Sequence, residues 1–123
     1  MNRDSRAEAL GAIYAAEARG EMPDEAGMSA RARKLAVGVW ETHRELDAEI
    51  AAAATGWRIE RMPAVDRAVL RLALYELRHT STPVGVVISE AVELAKQYST
   101  ARSGAFVNGV LAKLAAEPPE EPA

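Results

Sequence analysis

Apolar residues recur at helical spacing along most of this chain, and most densely between Pro63 and Leu114. From Val65 to Leu77, the residues Val65, Ala68, Val69, Leu70, Leu72, Ala73, Leu74 and Leu77 cover nearly the whole circumference of a helix. Arg67, Arg71 and Arg78 share the thin polar stripe that is left. A helix this apolar belongs at the centre of a fold, and that stripe is expected to be its wet surface. Glu76 falls on the opposite, crowded side. An unpaired carboxylate there is costly, so Glu76 is expected to find an arginine or hydrogen-bond partner, or to emerge at a seam.

The flanking segments read as helices too. A first helix is expected from about Asp4 to Ala18, with Ala9, Leu10, Ile13 and Tyr14 on its apolar face and Gly20 ending it. Glu21 to Met28 is a loop, and Ser29 suits the N-cap of the next helix. The pattern over residues 30–54 is long enough for two helices broken around Thr42 to Arg44, with Gly56 closing it. Trp57 to Met62 forms a connector, from which Trp57 is expected to pack back onto the core. The central helix follows Pro63 and runs to Arg78.

Thr82 can cap the next segment and Pro83 suits its first position. That helix extends to about Tyr98 and buries Val84, Val87, Ile88, Ala91, Leu94 and Ala95. A turn over Ser99 to Ser103 leads into a last helix, about Ser103 to Ala116, burying Val107, Val110, Leu111 and Leu114. Pro118 and Pro119 stop it, and the acidic, Pro-rich residues 117–123 are expected to be disordered. The fold class is all-α: one compact bundle over 1–116, made of two packed subdomains at about 1–56 and 63–116.

Composition narrows the function. The 123 residues suit one domain with a real core. There is no cysteine, and the two histidines have no paired spacing, so neither a disulfide nor a metal cluster is expected. No apolar run reaches membrane-spanning length and the start has no signal-peptide stretch, so a cytoplasmic protein is expected. The net charge of −3 argues against a strong stand-alone nucleic-acid binder. The charge is uneven, however: residues 61–116 hold seven Lys/Arg against four Asp/Glu. A phosphate-binding surface would be local and salt-sensitive.

Catalytic signals are weak. Glu90 and Glu93 have ordinary helix spacing, no serine sits in a nucleophile elbow, and Gly85 lacks partner glycines for a phosphate loop. Arg3 and Arg6 share one face of the first helix, but Asp4 and Glu8 nearly cancel their charge. They read either as a solvated helix start or as phosphate contacts. Phe106 lies about 100° from the buried stripe of the last helix, where it can pack or can stack on an unpaired base. Arg102 and Ser103 stand at that helix's start, where N–H groups attract phosphate. Asn108 has chemistry for backbone or for RNA, and Gly109 is expected to permit close helix packing.

Three blocks, VDRAVLRLALYEL at Val65–Leu77, SEAVELAK at Ser89–Lys96 and FVNGVL at Phe106–Leu111, together resemble the NusB family of bacterial transcription antitermination factors. The resemblance thins toward the front, through Ala12–Tyr14 and Leu35–Ile50. It implies an all-helical protein that binds boxA RNA of ribosomal-RNA transcripts with the ribosomal protein NusE. Other Nus factors and RNA polymerase would complete the elongation complex, and a homodimer is left open. It implies no cofactor. By resemblance, RNA would be held by Arg3, Arg6, Arg102, Ser103, Phe106 and Asn108. NusE would meet Tyr14, Asp66, Arg67 and Arg71. Two alternatives stay open. One is a helical interaction module without RNA binding. The other is a relative of the NusB-like front domain of ribosomal-RNA cytosine methyltransferases. No cofactor-binding segment follows the bundle here, so that enzyme itself is not expected.

Overall fold

The computed structural model describes the backbone from Arg3 to Ala116 and the side chains from Ser5 onward. The expected tail at 117–123 and the side chain of Arg3 lie outside the described residues. Five α-helices follow in order: α1 (Arg3–Arg19), α2 (Ala30–Ala53), α3 (Ala64–His79), α4 (Val84–Tyr98) and α5 (Ala101–Ala116). A short 3-10 turn, Ile59–Arg61, precedes α3. Among the described residues there is no strand, and no helix is long and apolar enough to cross a membrane.

Local chemistry sets the helix ends. Gly20 (φ 68°) ends α1 and Gly56 (φ 84°) follows α2, both in the left-handed region that glycine enters without a Cβ penalty. Ser29 caps α2 as expected, its hydroxyl accepting the N–H of Ala32. That hydroxyl also donates to Glu8 Oε1 at 2.8 Å, which ties the α1–α2 loop to α1. The expected break around Thr42 to Arg44 does not occur. Thr42 donates to the Gly38 carbonyl and His43 Nδ1 bonds the Trp40 carbonyl, so both side chains turn back onto their own helix. Leu46 and Ile50, fully buried further along, hold the same helix face to the core. At α4, Pro83 rather than Thr82 stands at the cap and no side chain caps the first turn.

Helix α3 lies at the centre and packs against α1, α2, α4 and α5. Its Leu70, Leu72 and Leu74 are buried beside Val39 and Ile50 of α2, Val87 and Leu94 of α4, and Val107 and Leu111 of α5 in one continuous core. Helix α1 runs antiparallel to α3: Arg6 meets Glu76 near one end, and Glu17 meets Arg67 near the other. Helix α5 runs with α3: Ser103 meets Asp66 at its start, and the Leu114 carbonyl accepts from Arg78 at its end. Val84 is exposed, against expectation, and so are Gly85 and Val86 in the same turn.

The close crossing of α2 and α3 depends on Gly38. A Cβ there would overlap the Tyr75 ring, which stacks on His79 with ring centroids 4.8 Å apart. Gly38→Ala is therefore expected to displace that ring. Tyr75 is half-buried and can swing outward, so the cost should be near the low end for overpacking, about 1 kcal/mol. Urea unfolding of Gly38→Ala measures it, and adding Tyr75→Ala should remove most of the penalty.

Candidate nucleic-acid interface

The starts of α3 and α5 meet at a polar knot. Asp66, in the first turn of α3, is buried and accepts hydrogen bonds from Ser99 Oγ at 2.6 Å and Ser103 Oγ at 3.0 Å. The Thr100 N–H reaches Ser103 Oγ at 3.4 Å. The knot fixes the α4–α5 turn and the first turn of α5. Two expected roles change here. Ser103 is buried against Asp66 instead of facing solvent, and Asp66 has both oxygens occupied instead of offering them to a partner.

Beside this knot lies a cleft of about 240 Å³, walled by Trp57, Met62, Pro63 and Phe106 and edged by Thr100 and Arg102. Phe106 is half-buried and packs against the core. Trp57 does not pack back as expected: it is 54% exposed and meets Phe106 edge-on, ring centroids 5.6 Å apart. Arg102 is exposed on α5, and so is Asn108. Gly109 faces open space, so close packing is not its role; Gly104 takes that part, its missing Cβ leaving room for the stem of Lys96.

A second surface lies between α1 and α4. Tyr14 and Tyr98, 45% and 49% exposed, flank a groove of about 260 Å³ with Ala7, Leu10, Gly11 and Val65. Two exposed tyrosines over an apolar floor suit a protein partner, since each ring gives area and each hydroxyl a hydrogen bond. Tyr98 carried no signal in the sequence beyond its place at the end of a helix.

Arg6 overturns its expected role. It is 1% exposed and forms a two-pronged pair with Glu76, Nε to Oε2 and Nη2 to Oε1 both at 3.0 Å. Nη1 lies 3.6 Å from Glu90 Oε1. The apolar surroundings of Glu76 demanded a partner, and Arg6 fulfils that demand, so its charge is not offered to a phosphate. Glu76 and Asp66 stand ten residues apart on α3, about 15 Å along its axis. Arg6 and Ser103 therefore lie at opposite ends of α3 and do not share one patch.

The polar stripe of α3 is also not a wet surface. Arg67 donates to Glu17 Oε1 at 2.6 Å and to the carbonyls of Ile59 and Met62, bracing the 3-10 turn. Arg71 grips both oxygens of Asp47 at 2.7 Å, and Arg78 binds Glu49 at 2.7 Å. Burial alone would depress the Arg71 pKa. The hydrogen bond and charge of Asp47, with Glu17 close by, outweigh it and hold the guanidinium above its ordinary value. Arg67 and Arg71 are internal struts of the bundle, not a partner surface.

Free positive charge appears elsewhere. Arg31 and Lys34, in the first two turns of α2, line an open basin of about 850 Å³ with His79 and Thr80 to Pro83. Their i,i+3 spacing without an acidic neighbour was the sequence signal for it.

The model of the NusB family matches residues 3–116. This chain belongs to the NusB family. It is 56% identical over 81 residues to the transcription antitermination protein NusB of Symbiobacterium thermophilum, covering 65% of this chain and 53% of that protein. It is 41% identical over 128 residues to the NusB protein of Clavibacter sepedonicus, covering 91% and 93% of the two. Over several of these relatives the match thus spans little more than half their length. Among solved structures, T. maritima NusB superposes with a TM-score of 0.82 at 36% identity, over 94% of this chain and 90% of that one. A complex of antitermination factors NusB and NusE with dsRNA contains a chain that matches with a TM-score of 0.80 at 29% identity, covering 93% and 95%. The all-α NusB fold expected from the three sequence blocks is the fold observed.

Proposed function

We propose that this NusB-family chain is an RNA-binding transcription antitermination factor. It acts with a NusE-type ribosomal protein on boxA RNA of ribosomal-RNA transcripts, in the cytoplasm, alongside other Nus factors and elongating RNA polymerase. The observation that carries the reading is the match, over nearly the whole chain, to a protein solved with NusE and RNA. The surfaces of this chain agree with two ligands. The cleft at Arg102, Trp57 and Phe106 has a cation beside aromatic rings, the chemistry that holds single-stranded RNA. The Tyr14–Tyr98 groove is apolar and suits a protein.

In this reading Arg102, Phe106 and Asn108 touch RNA, with Arg3 as a further contact, and Tyr14 touches the partner. Arg6, Ser103, Asp66, Arg67 and Arg71 act from within, by holding the helices that present those groups. No chemical step and no cofactor enters the reading. With a net charge of −3 the chain alone binds RNA weakly, and a basic partner extends the surface.

Titration of labelled boxA RNA with and without NusE, at two salt concentrations, tests this. Binding should tighten with NusE present. With about three phosphate contacts, affinity for a single strand should fall with salt at a log–log slope of about −2. The same RNA annealed into a duplex separates single-strand from duplex recognition. Absence of RNA binding under every condition, with NusE still bound, would leave a protein-interaction module. The internal engagement of Arg6 favours that second reading.

A further inference from the structure

We propose that Trp57 is a stacking platform for one unpaired base of the bound RNA, with Arg102 placed to meet the adjoining phosphate. The inference rests on the RNA-binding reading and adds a residue and a subsite to it. A tryptophan in a short connector ordinarily buries its indole, because that ring carries the largest apolar area of any side chain. Here more than half of Trp57 stays in water although an apolar core lies beside it. It is held rather than loose. Its backbone N–H donates to the Ala54 carbonyl at 2.9 Å, directly after the left-handed turn at Gly56, which fixes the main chain that carries the ring. Its ring meets Phe106 at an interplanar angle of 60°, so Phe106 props the indole edge-on and keeps it from folding down.

The result is an aromatic face fixed in place over a cleft of about 240 Å³, room for a single flat ring. The cleft's chemistry fits a base better than an apolar side chain. Trp57, Met62, Pro63 and Phe106 give it aromatic and apolar walls, the polar atoms of Asp66, Thr100 and Ser103 are engaged with one another in the knot, and Arg102 is the cation of the lining. Arg102 is exposed and makes no ion pair among the described residues, unlike Arg6, Arg67, Arg71 and Arg78, which all grip carboxylates. A stacked base and its phosphate would use both features at once. A base inside a duplex is already stacked on its neighbours, so the slot selects single strands.

The test uses the full chain carrying Trp40→Phe, which leaves Trp57 as the sole tryptophan. Single-stranded boxA RNA should quench Trp57 emission in step with the rise in RNA anisotropy, and the annealed duplex should not. Trp57→Ala should weaken single-strand binding about tenfold, within the range for loss of one stacked base. Trp57→Phe should retain most of the affinity. Unfolding curves identify a Trp57→Ala protein that has lost its fold; the quenching and Trp57→Phe data then decide. If RNA binds with full anisotropy change while Trp57 emission is unmoved and Trp57→Ala keeps its affinity, the platform is overturned and RNA binding stands. If anisotropy shows no RNA binding at all, the underlying reading fails, and the two failures are told apart.

Discussion

Arg6→Leu is expected to destabilise the fold by about 3–5 kcal/mol, the cost of stranding one charge of a buried pair. Glu76 would keep its carboxylate among Leu72, Ala73, Val87 and Ala91, with its two guanidinium hydrogen bonds gone. At about 4 °C per kcal/mol for a domain of this size, the melting temperature should drop by about 12–20 °C. Restoring shape without charge reverses the sign. The double replacement Arg6→Leu with Glu76→Leu removes both desolvated ions and should recover most of the loss, since buried pairs exchanged whole for apolar residues are often neutral or better. The double-mutant cycle, read by thermal melts and urea titration, measures the coupling. An Arg6→Leu protein as stable as the parent, but with reduced RNA affinity, would mean that Arg6 leaves Glu76 to hold phosphate.

The course of the helices was legible because each apolar stripe has the helical period and each end carries its own chemistry, as Ser29 and Gly56 show. The unbroken α2 was not. Thr42 and His43 look like a break by composition, and only the three-dimensional helix shows their side chains bonding back to it. The need of Glu76 for a partner could be read from its apolar neighbours, whereas Arg6 as that partner could not, seventy residues away. The arginine stripe of α3 misled for the same reason: Glu17, Asp47 and Glu49 that cover it come from other helices. Helical phase placed Phe106 at the margin of a buried face, where it lies. Trp57 was expected to pack onto the core and stays exposed instead, because connectors have no period and nothing in the sequence says which way such a ring turns.

Asp66→Ala supplies the other large effect, and it separates two accounts of the same residue. As a surface carboxylate for a protein partner, Asp66 could be removed at little cost to the fold. The buried knot demands otherwise. Ser99 and Ser103 would lose a shared charged acceptor, each such bond being worth about 1.5–3 kcal/mol. Partial rescue by each other leaves an expected loss of about 3 kcal/mol, with Asp66→Asn intermediate because its single carbonyl can still accept. The damage should also have a direction. Ser103 stands in the first turn of α5, one residue after Arg102 and three before Phe106, so loosening it frees the cation and the ring of the cleft together. RNA affinity, measured well below the new melting point, should therefore fall in Asp66→Ala by more than Tyr14-dependent partner binding, because the groove between α1 and α4 borders the knot only at Val65 and Tyr98 while Ala7, Leu10, Gly11 and Tyr14 stand on α1. Unchanged stability with selective loss of the protein partner would return Asp66 to the surface role and remove the knot as the anchor of the RNA cleft.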